Sequence, residues 1–170
     1  SIEPTEKMSQ VQDPPQEQLQ SLIDFYNQGQ LQQALSKTKQ LLEQFPHSVF
    51  LYNFQGTVNF DLKQFDVAID SYKQALKINP DYAEVYLNMG NALKNKGDLE
   101  EAIDSYKKAL KISPDYADAY LNMGNALKDK GDLEEAIDSY QQALKINPEF
   151  ANAYYNIGNV LKNKGDLEEA

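Results

Sequence analysis

Apolar residues recur every three or four positions along most of the chain. In residues 83–116, Tyr86, Met89, Gly90 and Leu93 form one stripe, and Leu99, Ala102, Ile103, Tyr106, Ala109 and Leu110 form a second. Spacing of this kind predicts two amphipathic helices. Gly97, between the stripes, suits the left-handed conformation that closes a helix, and Asp98 with Glu101 predicts an aspartate capping box at the start of the second. Pro114 disfavours helix at Ser113 and so ends the unit. Gly90 and Ala102 lack bulk where the paired helices have to cross.

The same paragraph of sequence is then written again. Residues 83–116 and 117–150 differ at eight of 34 positions, and the period extends in both directions. With Ala83 as position 1, position 20 is Ala34, Ala68, Ala102, Ala136 and Ala170, and position 32 is Pro46, Pro80, Pro114 and Pro148. Position 15 is Gly29, Gly97, Gly131 and Gly165, with Lys63 the exception. The predicted organisation is a tail over 1–14, complete units over 15–48, 49–82, 83–116 and 117–150, and a partial fifth over 151–170. A helix pair repeated at this period stacks into an all-α solenoid, because each unit buries its apolar face only against its neighbours.

These landmarks resemble those of the tetratricopeptide repeat family: an aromatic at position 4, a large apolar residue at 7, Gly at 8, Leu or an aromatic at 11, Ala at 20, an aromatic at 24, Ala at 27 and Pro at 32. In the third unit the corresponding residues are Tyr86, Met89, Gly90, Leu93, Ala102, Tyr106, Ala109 and Pro114. The resemblance spans residues 15–170 and implies a right-handed superhelix of antiparallel helix pairs. The first unit departs from it, with Gln18 at position 4, Leu22 at position 8 and Thr38 at position 24.

Composition narrows the function. The net charge is −10, and all sixteen basic residues are Lys. That balance opposes binding to nucleic acid or an anionic membrane surface, and without Arg there is no planar fork for phosphate. No apolar run is long enough for a membrane span, and the opening SIEPTEKMSQVQDP lacks the core of a secretory signal, which favours the cytoplasm over secretion while leaving the compartment open. The absent cysteines remove disulfides and thiolate metal sites.

No catalytic constellation, metal site or cofactor motif is visible. His47, the one histidine, follows Pro46 in an inter-repeat turn without a sequence partner. The carboxylates Asp98, Glu100, Glu101 and Asp104, repeated as Asp132, Glu134, Glu135 and Asp138, sit at helix starts and read as a solvated face.

What remains is the surface lined by the first helix of each unit, where the family resemblance assigns the inner wall to positions 2, 5, 6, 9, 12 and 13. Position 6 carries Asn88, Asn122 and Asn156, and position 9 carries Asn91, Asn125 and Asn159. Asn costs up to ~0.7 kcal/mol against Ala inside a helix, so its repetition asks for a reason. A carboxamide both donates and accepts, as does a peptide backbone, so a ladder of them suits an extended peptide. For position 9, bracing of a neighbouring helix is an equal reading. The ladder looks like the asparagine-lined arm of O-linked N-acetylglucosamine transferase, which implies an extended protein substrate against Asn88, Asn122 and Asn156. The two-carboxylate clamp of chaperone-tail binders is absent, since position 5 holds Asn53, Leu87 and Leu121, and position 2 Glu84 and Asp118.

Lys94, Lys128 and Lys162 at position 12, with Lys96, Lys130 and Lys164 two residues on, predict a basic rim. Phe50, Phe54 and Phe60 with Tyr26 make either an aromatic pocket at the N-terminal end of the groove or a packing surface for the tail. The expected function is a non-catalytic module binding a protein or extended peptide. The alternatives are a targeting arm of a transferase whose catalytic domain lies outside this chain, and a self-assembling scaffold. The missing initial Met and an ending inside a repeat suggest an excerpt of a longer protein, with the apolar face of residues 151–170 left for weak self-association.

Overall fold

The computed structural model describes residues 12–169. Among these, every regular element is an α-helix: α1 (Gln16–Asn27), α2 (Leu31–Gln44), α3 (Val49–Asp61), α4 (Phe65–Ile78), α5 (Ala83–Lys96), α6 (Leu99–Ile112), α7 (Ala117–Lys130), α8 (Leu133–Ile146) and α9 (Ala151–Glu169). Consecutive helices pack in a line, α1 on α2 through to α8 on α9, which makes a helical solenoid. In addition α3, α5, α7 and α9 touch in series, whereas no comparable contact joins α4 to α6 or α6 to α8. The first helices are therefore the closer row, and the stack curves around them. Of the tail, residues 1–11 lie outside the described residues, as does Ala170; Pro14 is buried, and Asp13 accepts a hydrogen bond from Ser48.

Gly97 has φ 98°, and the N–H groups of Gly97 and Asp98 bond to the carbonyls of Lys94 and Leu93, the Schellman pattern that satisfies the last turn of α5. Gly131 repeats it after α7 at φ 95°. Lys63, the exception in this column, takes the same left-handed conformation at φ 59°, so the turn imposes its geometry on a residue that is strained there by roughly 1–2 kcal/mol.

The expected capping box does not form. The Asp98 side chain makes no cap bond. Its backbone, at φ −82° and ψ 70°, is an inverse γ-turn in which the Leu99 N–H donates to the Gly97 carbonyl at 3.0 Å. The carboxylate instead meets Lys96 Nζ at 3.3 Å. The turn directs the side chain back toward the preceding helix, where a cation waits.

The helix crossing depends on Gly90. A Cβ there would lie 2.6 Å from Tyr106 Cε1, and Gly56 and Gly124 stand in the same relation to Tyr72 and Tyr140, at 2.4 and 2.5 Å. All three tyrosines and the position-20 alanines Ala68, Ala102 and Ala136 are buried. Buried Ser105 and Ser139 add a stitch, donating to the Tyr86 and Tyr120 carbonyls at 2.8 and 2.7 Å. The first unit reverses the size relation: Leu22 and Thr38 are both fully buried, so the bulk comes from the first helix, and the Thr38 hydroxyl is satisfied by the Ala34 carbonyl at 2.7 Å.

The fifth unit departs from the helix-closing turn that the position-15 glycine predicts at Gly165. Helix α9 runs unbroken through Gly165, without a left-handed turn. It leaves Tyr154, Tyr155, Leu161 and Leu167 at 57, 71, 55 and 70% exposure. With no Tyr ring to receive, Gly158 faces open space. Two substitutions at the same repeat position should therefore diverge. Gly90→Ala drives a methyl into the Tyr106 ring and should cost about 1–3 kcal/mol in urea unfolding, whereas Gly158→Ala should be neutral or stabilise by up to about 1 kcal/mol. Equal effects would remove the ring contact as the reason for Gly90.

Candidate functional site

The first helices present their asparagines toward one another along the inner row. Two of the position-9 residues, Asn91 and Asn125, brace the array. Asn91 Oδ1 accepts the Tyr106 hydroxyl at 2.7 Å and the Asn122 amide at 3.1 Å. One unit on, Asn125 Oδ1 accepts the Tyr140 hydroxyl at 2.7 Å and the Asn156 amide at 2.9 Å. A core tyrosine thus reaches through the gap left by glycine, fixes the carboxamide of its own unit, and that carboxamide holds the next unit's position-6 asparagine.

This use of the groups leaves a definite remainder. The oxygens of Asn91 and Asn125 are doubly occupied. On Asn122 and Asn156 one N–H is committed to the neighbouring helix, and the Oδ1 has no bond among the described residues, so a half-buried row of acceptors remains. At the junction of the second and third units the relay changes, because position 9 is Thr57: it lies 3.4 Å from the Tyr72 hydroxyl, and Asn88 donates to Asn53 Oδ1 at 3.1 Å instead. Asn159 is half-buried and enters no side-chain bond among the described residues. Position 5 does not belong to the open wall in the middle of the array: Leu87 and Leu121 are buried in the main core cluster, while Tyr155 is exposed.

The two lysine rows separate. Lys96 binds Asp66 at 2.9 Å and Asp98 at 3.3 Å, Lys130 binds Asp132 at 3.2 Å and Glu100 at 3.9 Å, and Lys164 binds Glu134 at 3.4 Å. The position-14 lysines therefore tie each unit to the second helix of the unit before and are not a free rim; hydrogen bonding to Asp66 and Asp98 holds Lys96 above the usual ammonium range. Lys94, Lys128 and Lys162 enter no ion pair among the described residues.

At the N-terminal end Phe50 stacks on Phe54 with centroids 5.9 Å apart, and Tyr26 meets Phe54 edge-on at 5.9 Å. All three are half-buried, Phe50 and Phe54 against the first unit's core, and the Tyr26 hydroxyl donates to Asp61. That bond, followed by burial, pushes the Tyr26 phenol up to about 12. Phe60 leaves the group and packs edge-on against Phe65 at 5.5 Å. The Tyr26–Asp61 bond and the Asn53 contact are missing from the sequence reading, since a 35-residue separation carries no local signal.

Burial raises the phenol of Tyr72 to about 12 and those of Tyr106 and Tyr140 further still. A folded-state value above the unfolded one means stability that is complete below about pH 10 and lost as pH rises through the folded value, because only the unfolded chain ionises readily. Resistance to urea should therefore fall steeply from about pH 10 to 12, and Tyr106→Phe with Tyr140→Phe should flatten that loss while costing about 0.5–1.5 kcal/mol per hydroxyl near neutrality. An alkaline slope unchanged by the two substitutions would contradict the assignment.

Residues 56–97, 90–131 and 124–165 each match the family profile described as TPR repeat, and residues 19–48 match one described as tetratricopeptide repeat. No curated protein matches the chain in sequence. Two crystal structures of MamA are similar at 28 and 27% identity with TM-scores of 0.78 and 0.79, covering 84 and 90% of this chain and 83 and 84% of theirs. The first TPR of Spaghetti (RPAP3), bound to the HSP90 peptide SRMEEVD, shares the fold at 21% identity and TM-score 0.66, over 69% of this chain and 93% of its own. With helix pairs, turn glycines and buried ring contacts all falling on the same period as the matched profile, the chain belongs to the tetratricopeptide repeat family.

Proposed function

We propose that the chain is a non-catalytic module that holds an extended peptide along its inner row of first helices through main-chain contacts. The observation that carries this reading is the row of acceptors left on Asn122 and Asn156, each pinned in place by a bond to the preceding unit. A carboxamide already fixed by one N–H loses little further entropy on binding, so its remaining hydrogen-bond capacity serves a ligand at low cost. Asn88 extends the row by one unit, with Asn53 as its anchor. A structural relative of the same fold holds a peptide, which supports the class of ligand and not its sequence.

The test uses a neutral capped peptide of four Gln-Ala-Pro triplets, followed by side-chain amide shifts in NMR. Asn88→Ala, Asn122→Ala and Asn156→Ala together should weaken binding by about tenfold to several hundredfold. The same amides brace the array, so stability should fall as well, by about 0.5–1.5 kcal/mol for each bond lost, with helicity retained. Unchanged affinity in the triple variant would sink the ladder.

A second reading, self-assembly, rests on α9, whose four large apolar side chains lie more than half exposed along one helix. Exposed apolar area of this extent favours association of copies through α9. Sedimentation should show concentration-dependent mass that Tyr155→Lys with Leu167→Lys abolishes; a monomer at every concentration would overturn it.

A further inference from the structure

Each complete repeat of the third and fourth units ends its first helix with two lysines, and the structure uses them differently. Lys96 and Lys130 are held by carboxylates of their own and the preceding unit, and Lys164 repeats the contact in the fifth. Lys94, Lys128 and Lys162, two residues earlier, enter no ion pair among the described residues. A favourable interaction with the helix C-terminus does not explain the second row, because the paired lysines already place a cation in that last turn.

Position 12 follows position 9 by three residues, so these ammonium groups lie one turn, about 4.5 Å, along the helix from the carboxamides, on the same stripe. Position 2 carries Glu84 and Asp118, both exposed, about a turn before position 6. The groove therefore has an acidic edge, a carboxamide floor and a basic edge. Asp129, beside Lys128, weakens the middle of the basic edge without interrupting it.

Successive first helices are in direct side-chain contact, which sets their axes about 8–10 Å apart. A polyproline-type chain advances about 3.1 Å per residue and returns to the same side every three residues, about 9.3 Å on. The two repeats coincide. We propose that this groove selects an extended chain with an acidic side chain at every third residue, each set against one of Lys94, Lys128 and Lys162. The proposal rests on the main-chain reading above and adds to it a charge register and a sidedness, since the acidic row is repelled from the edge bearing Glu84 and Asp118.

A net charge of −10 repels acidic peptides as a whole, so any preference for them has to come from local cations in register. Fluorescence anisotropy at low salt compares three labelled, capped peptides: four Glu-Ala-Pro triplets, the Gln-Ala-Pro analogue, and an isomer of the first with its glutamates contiguous. The triplet Glu peptide should bind about tenfold tighter than either of the others, the range expected for a few exposed ion pairs. Lys94→Gln, Lys128→Gln and Lys162→Gln together should abolish that preference and leave the Gln peptide's affinity as it was, and Lys96→Gln should not abolish it. Equal binding of the two Glu isomers, or a preference that survives the triple variant, overturns the register while the ladder stands. If the Gln peptide also fails to bind, the main-chain reading falls, and the register with it.

Discussion

A tyrosine ring lying where a glycine has no Cβ is the contact on which the array depends. It closes the helix pairs of the second, third and fourth units, as Tyr72 on Gly56, Tyr106 on Gly90 and Tyr140 on Gly124 show, and it fills the core of each with a large buried side chain. Because the ring passes between two helices, its hydroxyl emerges on the far side, where Asn91 or Asn125 accepts it. One side chain thus sets the spacing inside a unit and the orientation of a polar group between units. A phenylalanine would serve the first role only. The inverted pair Leu22 and Thr38 shows that the first unit meets the volume requirement by another route, and it loses the hydroxyl bridge in doing so.

The period, the helix pairing and the roles of Gly90 and Gly97 were legible in the sequence, because each is a local consequence of residue size or backbone freedom. What happens at Gly165 was not. Residues 95–101 and 163–169 are the same heptapeptide, NKGDLEE, yet the first turns through a left-handed glycine and the second continues as helix. The turn after α5 is held by α6 folding back onto α5 through Tyr106 and Ala102, whereas among the described residues no helix folds back onto α9 in this way. Local sequence permits both conformations, and tertiary packing selects between them. The Asp98 cap failed for a related reason: the γ-turn geometry and Lys96 together offer the carboxylate an ion pair in place of the helix N-terminus.

The candidate site was legible as residue types and not as roles. The sequence marks two asparagines and two lysines per repeat, but which of each pair is structural depends on contacts across units, about thirty residues apart in the chain. In the third and fourth units the structure divides them the same way. Of the asparagines, position 9 gives its oxygen to the fold and position 6 keeps its own; of the lysines, position 14 is consumed by carboxylates and position 12 is left.

This division ties the proposed recognition to the integrity of the stack. The Asn122 carboxamide is oriented by Asn91, Asn91 by Tyr106, and Tyr106 by the absence of a side chain at Gly90. A ligand donating to Asn122 Oδ1 polarises the amide and strengthens its N–H bond to Asn91, so occupancy should tighten the junction between units as well as fill the groove. In a quasi-one-dimensional array, where stability is a sum of units and interfaces, the effect falls on the interface contribution. At the junction between the second and third units the Asn88 amide is held by Asn53, and Thr57, 3.4 Å from the Tyr72 hydroxyl, takes no part in that bond, so a ligand on Asn88 should stiffen this junction without drawing on the core tyrosine.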